Sequence, residues 1–285
     1  MEPTTFQTIC VCGAGTMGSG IAQACAQAGF QTLLFDVQPA ALQKAQAAIA
    51  QNLQQLQQKG KLDAATATEI GKRLQYVTQT EACRADLIIE AVVEQMEVKQ
   101  QLLAQLQTLN GPTTIIASNT SSLSITALQQ QLPAAGRVAG LHFFNPATIM
   151  KLVEVVQGKH TEAAVITQLV HFVQQLGKTP VVCKDAPGFI VNRVARPYYI
   201  EALRLVEEGV ADYSTIDTLM EATGFKMGPF RLMDLIGNDV NYAVSCSVYE
   251  QLQQPRRLQP SPLQQQKVQA GKLGRKTGEG YYLYS

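Results

Sequence analysis

Three histidines occur in 285 residues: His142, His160 and His171. His160 falls in a polar turn and His171 in a glutamine-rich stretch, so both read as surface residues. His142 differs, because it lies in GLHFFNP at the end of an apolar run. Twelve residues further on, Glu154 sits in KLVEVVQ, where Leu152, Glu154 and Val156 share one strand face by alternation. A carboxylate among aliphatics on a core strand is costly to bury without a partner. Only the short connection NPATIM separates the two runs, which puts His142 within reach. Such a pair would fix the imidazole tautomer and support the imidazolium formed on proton uptake, as a general base requires. A purely structural tie between two strands fits the same spacing.

The second chemical signal is CGAGTMGSG, which places Gly13, Gly15 and Gly18 in G-x-G-x-x-G register between a strand and a helix. In that context Gly13 permits a tight turn, Gly15 lets backbone approach a pyrophosphate, and Gly18 allows close helix–strand packing. The helix start, at Thr16 and Met17, offers N–H groups to the anion. The next strand ends at Asp36, an acceptor suited to ribose hydroxyls and hostile to a 2′-phosphate. Val37, Gln38 and Pro39 supply no compensating arginine. The cofactor expected is NAD rather than NADP. A dehydrogenase then needs a positioned base to take the hydroxyl proton, and His142 is the candidate.

The elements that must hold these residues follow from pattern. TICVCG (8–13), QTLLFD (31–36), DLIIEAVV (86–93), TTIIAS (113–118), RVAGLHFF (137–144), KLVEVVQ (151–157) and TPVVCK (179–184) read as strands. Several are apolar without alternation, as expected when helices cover both faces. Residues 19–29 read as a helix. Residues 39–75, rich in Ala, Gln and Lys, read as a helical hairpin projecting from the sheet, broken near 59–63. Beyond KDAPGF (184–189) every element up to about residue 270 reads as helical. The expected fold is α/β: a Rossmann-type, mostly parallel sheet domain with a helical hairpin insertion over residues 1–184. An all-α domain over residues 185–285 follows it.

Composition narrows the class. The 23 basic and 22 acidic side chains give a formal charge of +1, no footprint for nucleic acid or an anionic membrane. Six cysteines without a C-x-x-C pair read as thiols in a reducing cytosol, with no metal site expected. No stretch approaches the ~18–20 apolar residues that span a bilayer, so a cytoplasmic protein is expected.

The strings GAGTMGSGIAQ, EAVVE, ASNTSSLSIT, GLHFFNP, KLVEVV, CKDAPGFIVNR, MGPFRLMD and GRKTGEGYY together resemble the short-chain 3-hydroxyacyl-CoA dehydrogenase family. Bacterial 3-hydroxybutyryl-CoA dehydrogenases are among its members. The resemblance runs from about residue 6 to the C-terminus and is weakest over 39–75. It implies that His142 and Glu154 are the catalytic pair, that Ser121 bonds the reacting oxygen, and that Asn192 orients substrate from the second domain. It implies that Asp36, Glu94, Lys99, Asn119 and Asn145 line the NAD cleft. Without it, Glu94 and Lys99 look like ordinary loop and helix-surface charges. The implied substrate is a short-chain (S)-3-hydroxyacyl thioester of coenzyme A. Its phosphates would lie near the hairpin, where Lys44, Lys59, Lys61 and Lys72 are candidates no better than a solvated face. The implied assembly is a homodimer through the C-terminal domain, whose apolar stretches 188–208 and 229–250 make poor solvent surfaces. A 3-hydroxyadipyl-CoA dehydrogenase, a gulonate-type sugar-acid dehydrogenase and, remotely, a non-catalytic crystallin-like protein stand as alternatives. Two departures from the pattern, ATIM after HFFNP and Lys226 in GFKMGPF, bear on loop geometry and acyl preference.

Overall fold

The first apolar run forms β1 (Thr8–Cys12), the start of a sheet described by a computed structural model over residues 6–284. In chain order there follow α1 (Thr16–Gln27), β2 (Gln31–Phe35), α2 (Pro39–Gln58), α3 (Ala64–Lys72), β3 (Leu74–Val77) and β4 (Leu87–Glu90). Then come α4 (Met96–Asn110), β5 (Ile115–Ser118), α5 (Ile125–Gln129), β6 (Val138–Phe143), β7 (Leu152–Gln157), α6 (Ala163–Gln175) and β8 (Thr179–Lys184). The eight strands run in the order β3-β2-β1-β4-β5-β6-β7-β8. All neighbours are parallel except β6 and β7, which the short NPATIM connection forces to be antiparallel.

Ile9, Val11, Leu34, Leu87, Ile89, Leu141 and Val153 pack with residues of α1, α2, α3 and α6 into one core cluster. The alternate residues Cys10, Ile88, Ile116 and Val138 are equally buried on the opposite face. Both faces are thus covered, which is why the runs lack polar alternation.

The structure corrects the reading of residues 39–75. The segment forms two helices, but its end is the edge strand β3, parallel to β2. Nor does it simply project. Leu42, Ala45, Ile49 and Leu53 line one stripe of α2 at helical spacing and join the sheet's core together with Ile70 and Leu74. The glutamines between them mask that stripe in composition. The strand expected over 86–93 stops at Glu90, because the Glu90 carboxylate accepts the Val92 N–H at 2.7 Å and curls the chain out of the ladder.

The chain divides into two compact units between Asp185 and Ala186. The second unit contains α7 (Val191–Glu207), α8 (Tyr213–Ala222), α9 (Pro229–Ile236), α10 (Asn238–Gln251) and α11 (Pro262–Gln269). The apolar stretch 229–250 is not one helix: it breaks at Gly237, whose φ of 102° ends α9 and starts α10. This unit closes on a buried carboxylate. Asp234 accepts the backbone N–H groups of Tyr281 and Tyr282, the Tyr284 hydroxyl and the Asn238 amide, all within 3.0 Å. The GRKTGEGYY tail is thereby pinned to MGPFRLMD. Removing the acceptor leaves several donors unsatisfied. Asp234→Ala is therefore expected to lower stability by about 3–5 kcal/mol, read from the midpoint of urea unfolding.

Candidate active site

The glycine fingerprint has the geometry its spacing implies. Gly13 adopts φ 102°, and its N–H donates to Phe35 O at 2.7 Å, locking the turn to the end of β2. A Cβ on Gly13 would lie 2.5 Å from Ala91 O, and one on Gly18 only 1.7 Å from Gly13 O. Neither position tolerates a side chain. A Cβ on Gly15 would meet nothing within 4 Å, so backbone there faces open space. Helix α1 begins at Thr16, earlier than expected, with no side-chain cap and no acid in its first turn. Its leading N–H groups and positive dipole end suit a phosphate. Asp36 is held by the N–H groups of Ala14 (2.8 Å) and Gln38 (2.9 Å), at the tip of β2. Glycine cradle, uncapped helix start and fixed carboxylate fit a dinucleotide.

His142 and Glu154 are direct partners across the β6–β7 ladder. The imidazole Nδ1 and Glu154 Oε2 are 2.7 Å apart, and both side chains are buried. A carboxylate only accepts, so Nδ1 carries the proton and Nε2 is the basic nitrogen. The Phe144 ring packs against the imidazole, with centroids 4.5 Å apart. The other two histidines are exposed.

Asn119 joins the ends of neighbouring strands. Its Oδ1 accepts the Phe143 N–H at 2.9 Å, and its own N–H donates to Glu90 O at 2.7 Å. Glu94 gathers the following loop: its Oε1 accepts from Thr120 Oγ1 (2.5 Å), Ser121 N (3.1 Å) and Ser122 Oγ (3.2 Å). Burial raises the Glu94 carboxyl, but Lys99, the Thr120 hydroxyl and the Ser121 N–H outweigh it and hold the group below the ordinary carboxylate range.

Lys99 is no surface charge. Its side chain is 1 % exposed and bridges fully buried Glu90 at 2.6 Å and the more exposed Glu94 at 3.1 Å. Lys99, Leu103 and Leu106 form a buried stripe on α4, a signal legible in their spacing. Sequence reasoning also missed Glu90, although a lone acid inside LIIEAVV is conspicuous. Glu90 Oε2 additionally accepts the Ser118 hydroxyl at 2.6 Å. Two further ties carried no signal. Asp185 accepts Ser124 Oγ (2.7 Å) and Thr126 N (2.8 Å). Lys178 Nζ donates to Ala147 O (2.6 Å) and Met150 O (2.7 Å), closing the ATIM loop. Asn145 is exposed at the start of that loop.

Asn192 lies in the first turn of α7, in the second unit. Lys44, Lys59, Lys61 and Lys72 are exposed, and Lys72 pairs with Glu69 at 2.8 Å. The cysteines are free thiols, with Cys10 and Cys12 Sγ atoms 3.8 Å apart on one face of β1. Among the described residues no His, Cys, Asp and Glu cluster could hold a metal, and no helix is long and apolar enough to cross a membrane.

A doubly covered sheet with a dinucleotide cradle and a buried imidazole–carboxylate pair defines the Rossmann-type oxidoreductases. The sequence matches the 3-hydroxyacyl-CoA dehydrogenase NAD binding domain over residues 8–186 and the C-terminal domain over residues 188–284. The chain belongs to the 3-hydroxyacyl-CoA dehydrogenase family. It is 51 % identical over 278 residues to a 3-hydroxyadipyl-CoA dehydrogenase of Escherichia coli, covering 97 % of this chain. The chain spans 58 % of that protein's length. A probable 3-hydroxybutyryl-CoA dehydrogenase of Deinococcus radiodurans is 41 % identical, over 96 % of this chain and 99 % of its own. The crystal structure of (S)-3-hydroxybutyryl-CoA dehydrogenase from Ralstonia eutropha superposes with a TM-score of 0.94 at 39 % identity, covering 99 % of this chain and 100 % of that one.

Lys99→Met strands the Glu90 carboxylate without its cation, so a loss of about 3–5 kcal/mol in unfolding free energy is expected. The double variant Glu90→Gln/Lys99→Met should recover most of it, which a urea-unfolding mutant cycle measures.

Proposed function

We propose that this chain catalyses the reversible oxidation of a short-chain (S)-3-hydroxyacyl-CoA to the 3-oxoacyl-CoA with NAD. The observation that carries the reading is the 2.7 Å contact between His142 and Glu154 across the ladder. Gly13, Gly15, Thr16, Met17 and Gly18 would hold the pyrophosphate, and Asp36 the adenosine ribose. Glu94, Lys99, Asn119 and Asn145 would shape the cleft further, Lys99 by fixing Glu94 rather than by touching cofactor. When bound, NAD supplies the hydride acceptor.

The chain's own residues handle the proton. Nε2 of His142 takes the substrate hydroxyl proton in oxidation and returns it in reduction. Glu154 keeps Nδ1 protonated and neutralises the imidazolium that results. Ser121 donates to the reacting oxygen, and Asn192 orients the acyl group. Both residues lie where backbone geometry is constrained, Ser121 through Glu94 and Asn192 through the first turn of α7. A four-carbon acyl group matches the Deinococcus and Ralstonia relatives. A six-carbon acyl group ending in a carboxylate, named in the Escherichia relative, is the second reading. The C-terminal unit is the proposed dimer surface, since α7 exposes Val194 at 72 %, with Leu219 and Val240 also exposed on α8 and α10.

Two outcomes test the reading. His142→Gln and Glu154→Gln should each lower kcat by about 10²–10⁴-fold while NAD binding by calorimetry is retained. A wild-type rate in His142→Gln, followed by NADH absorbance, removes the assigned base. For the cofactor, wild type should prefer NAD over NADP by at least about tenfold in kcat/KM, from the charge repulsion at Asp36. Asp36→Ala should narrow that ratio, and a preference unchanged by the substitution means another residue sets it.

A further inference from the structure

Helix α7 carries a cation for which the proton chemistry has no use. Arg196 follows Asn192 by one helical turn and is 3 % exposed. Its Nε donates to Asn192 O at 3.0 Å, so the guanidinium folds back over the turn that carries Asn192. Nη1 donates to Asn241 O and Ser245 Oγ, each at 2.9 Å, and the group lies 4.9 Å from the centre of the Tyr199 ring. All of these partners are neutral. Among the described residues no carboxylate forms an ion pair with Arg196. Nη2 has no hydrogen-bond acceptor among them either.

A charge removed from water without a counter-ion is expensive. Burial pushes this guanidinium down to about 10, which still leaves it cationic at neutral pH. Joining α7 to α10 needs no charge, since an aliphatic side chain of the same length packs such a contact at lower cost. The charge and the unused Nη2 donors therefore suit an anion delivered by a ligand. A guanidinium presents its donors in the planar fork that matches a carboxylate.

We propose that Arg196 binds the terminal carboxylate of a 3-hydroxydicarboxylic acid carried as its coenzyme A monothioester, with the six-carbon chain preferred. The proposal rests on the 3-hydroxyacyl-CoA dehydrogenase reading, in which Asn192 meets the reacting end of the acyl group. Side chains four apart on a helix lie about 5–6 Å from one another. From the hydroxyl carbon C3 to the terminal carboxyl carbon C6 there are three carbon–carbon bonds of about 1.5 Å each. A six-carbon diacid thus reaches from Asn192 to Arg196, whereas a four-carbon diacid has its carboxylate directly on C3 and falls short.

The experiment compares initial rates of the full chain with NAD and two thioesters of equal carbon number, 3-hydroxyadipyl-CoA and 3-hydroxyhexanoyl-CoA. Wild type is expected to favour the dicarboxylic ester by at least about tenfold in kcat/KM, the ratio a charge-assisted hydrogen-bonded pair supplies. Arg196→Met should bring that ratio close to one, and Arg196→Lys should retain part of it. A wild-type ratio near one overturns the proposal even if the variants fail to fold. A ratio unchanged in Arg196→Met also overturns it, because a cation serving the coenzyme A phosphates or merely tying two helices would affect both esters alike. Oxidation of neither ester by wild type would instead refute the dehydrogenase reading itself.

Discussion

A fully buried carboxylate must have a partner, and in this sheet the partner is an imidazole one strand away. The His142–Glu154 contact exists because β6 and β7 are the one antiparallel pair in an otherwise parallel ladder, which sets the two residues directly opposite each other. A parallel crossover would have required a connection of a dozen or more residues. The eight-residue link from Phe144 to Lys151 excludes that topology, and Lys178 holds the link closed through two backbone carbonyls. The geometry of the His142–Glu154 pair therefore follows from chain length and ladder direction as much as from the two side chains.

The same constraint organises the cofactor edge. Glu90 ends β4 inside the protein, and Lys99 reaches in from α4 to neutralise it. Lys99 simultaneously fixes Glu94, which collects Thr120, Ser121 and Ser122. One buried ammonium thus links the strand that ends beneath the dinucleotide turn to the loop that carries Ser121. In the second unit Asp217 and Asp234 play comparable parts, each accepting several backbone and tyrosine donors. Arg196 in α7 likewise has neutral partners only, the carbonyls of Asn192 and Asn241 and the Ser245 hydroxyl.

Local pattern was enough for much of this molecule. The G-x-G-x-x-G spacing after a strand, Asp36 at the next strand's end, and the apolar runs of a doubly covered sheet are short-range features, and each formed as read. His142 and Glu154 were legible because an acid on an apolar strand face demands a partner and only a short loop lay between them. The hairpin was misread at its end, since the apolar stripe on α2 and the edge strand β3 are diluted by glutamine. Nothing in a four-residue run such as LQYV shows that it will pair with β2.

Sequence by itself determined the class of cofactor, the pairing of a buried imidazole with a buried carboxylate, and the change from sheet to helices near residue 185. Those depend on residue type and on separations of a few residues. Only the tertiary structure decided which charges are buried and what meets them: Lys99 between two glutamates, Lys178 on two carbonyls, Asp185 on a serine and a backbone N–H, Arg196 on two carbonyls and a serine. Burial is a property of where distant segments meet, and a lysine or arginine in a helix looks the same in sequence whether its head group reaches water or a carboxylate.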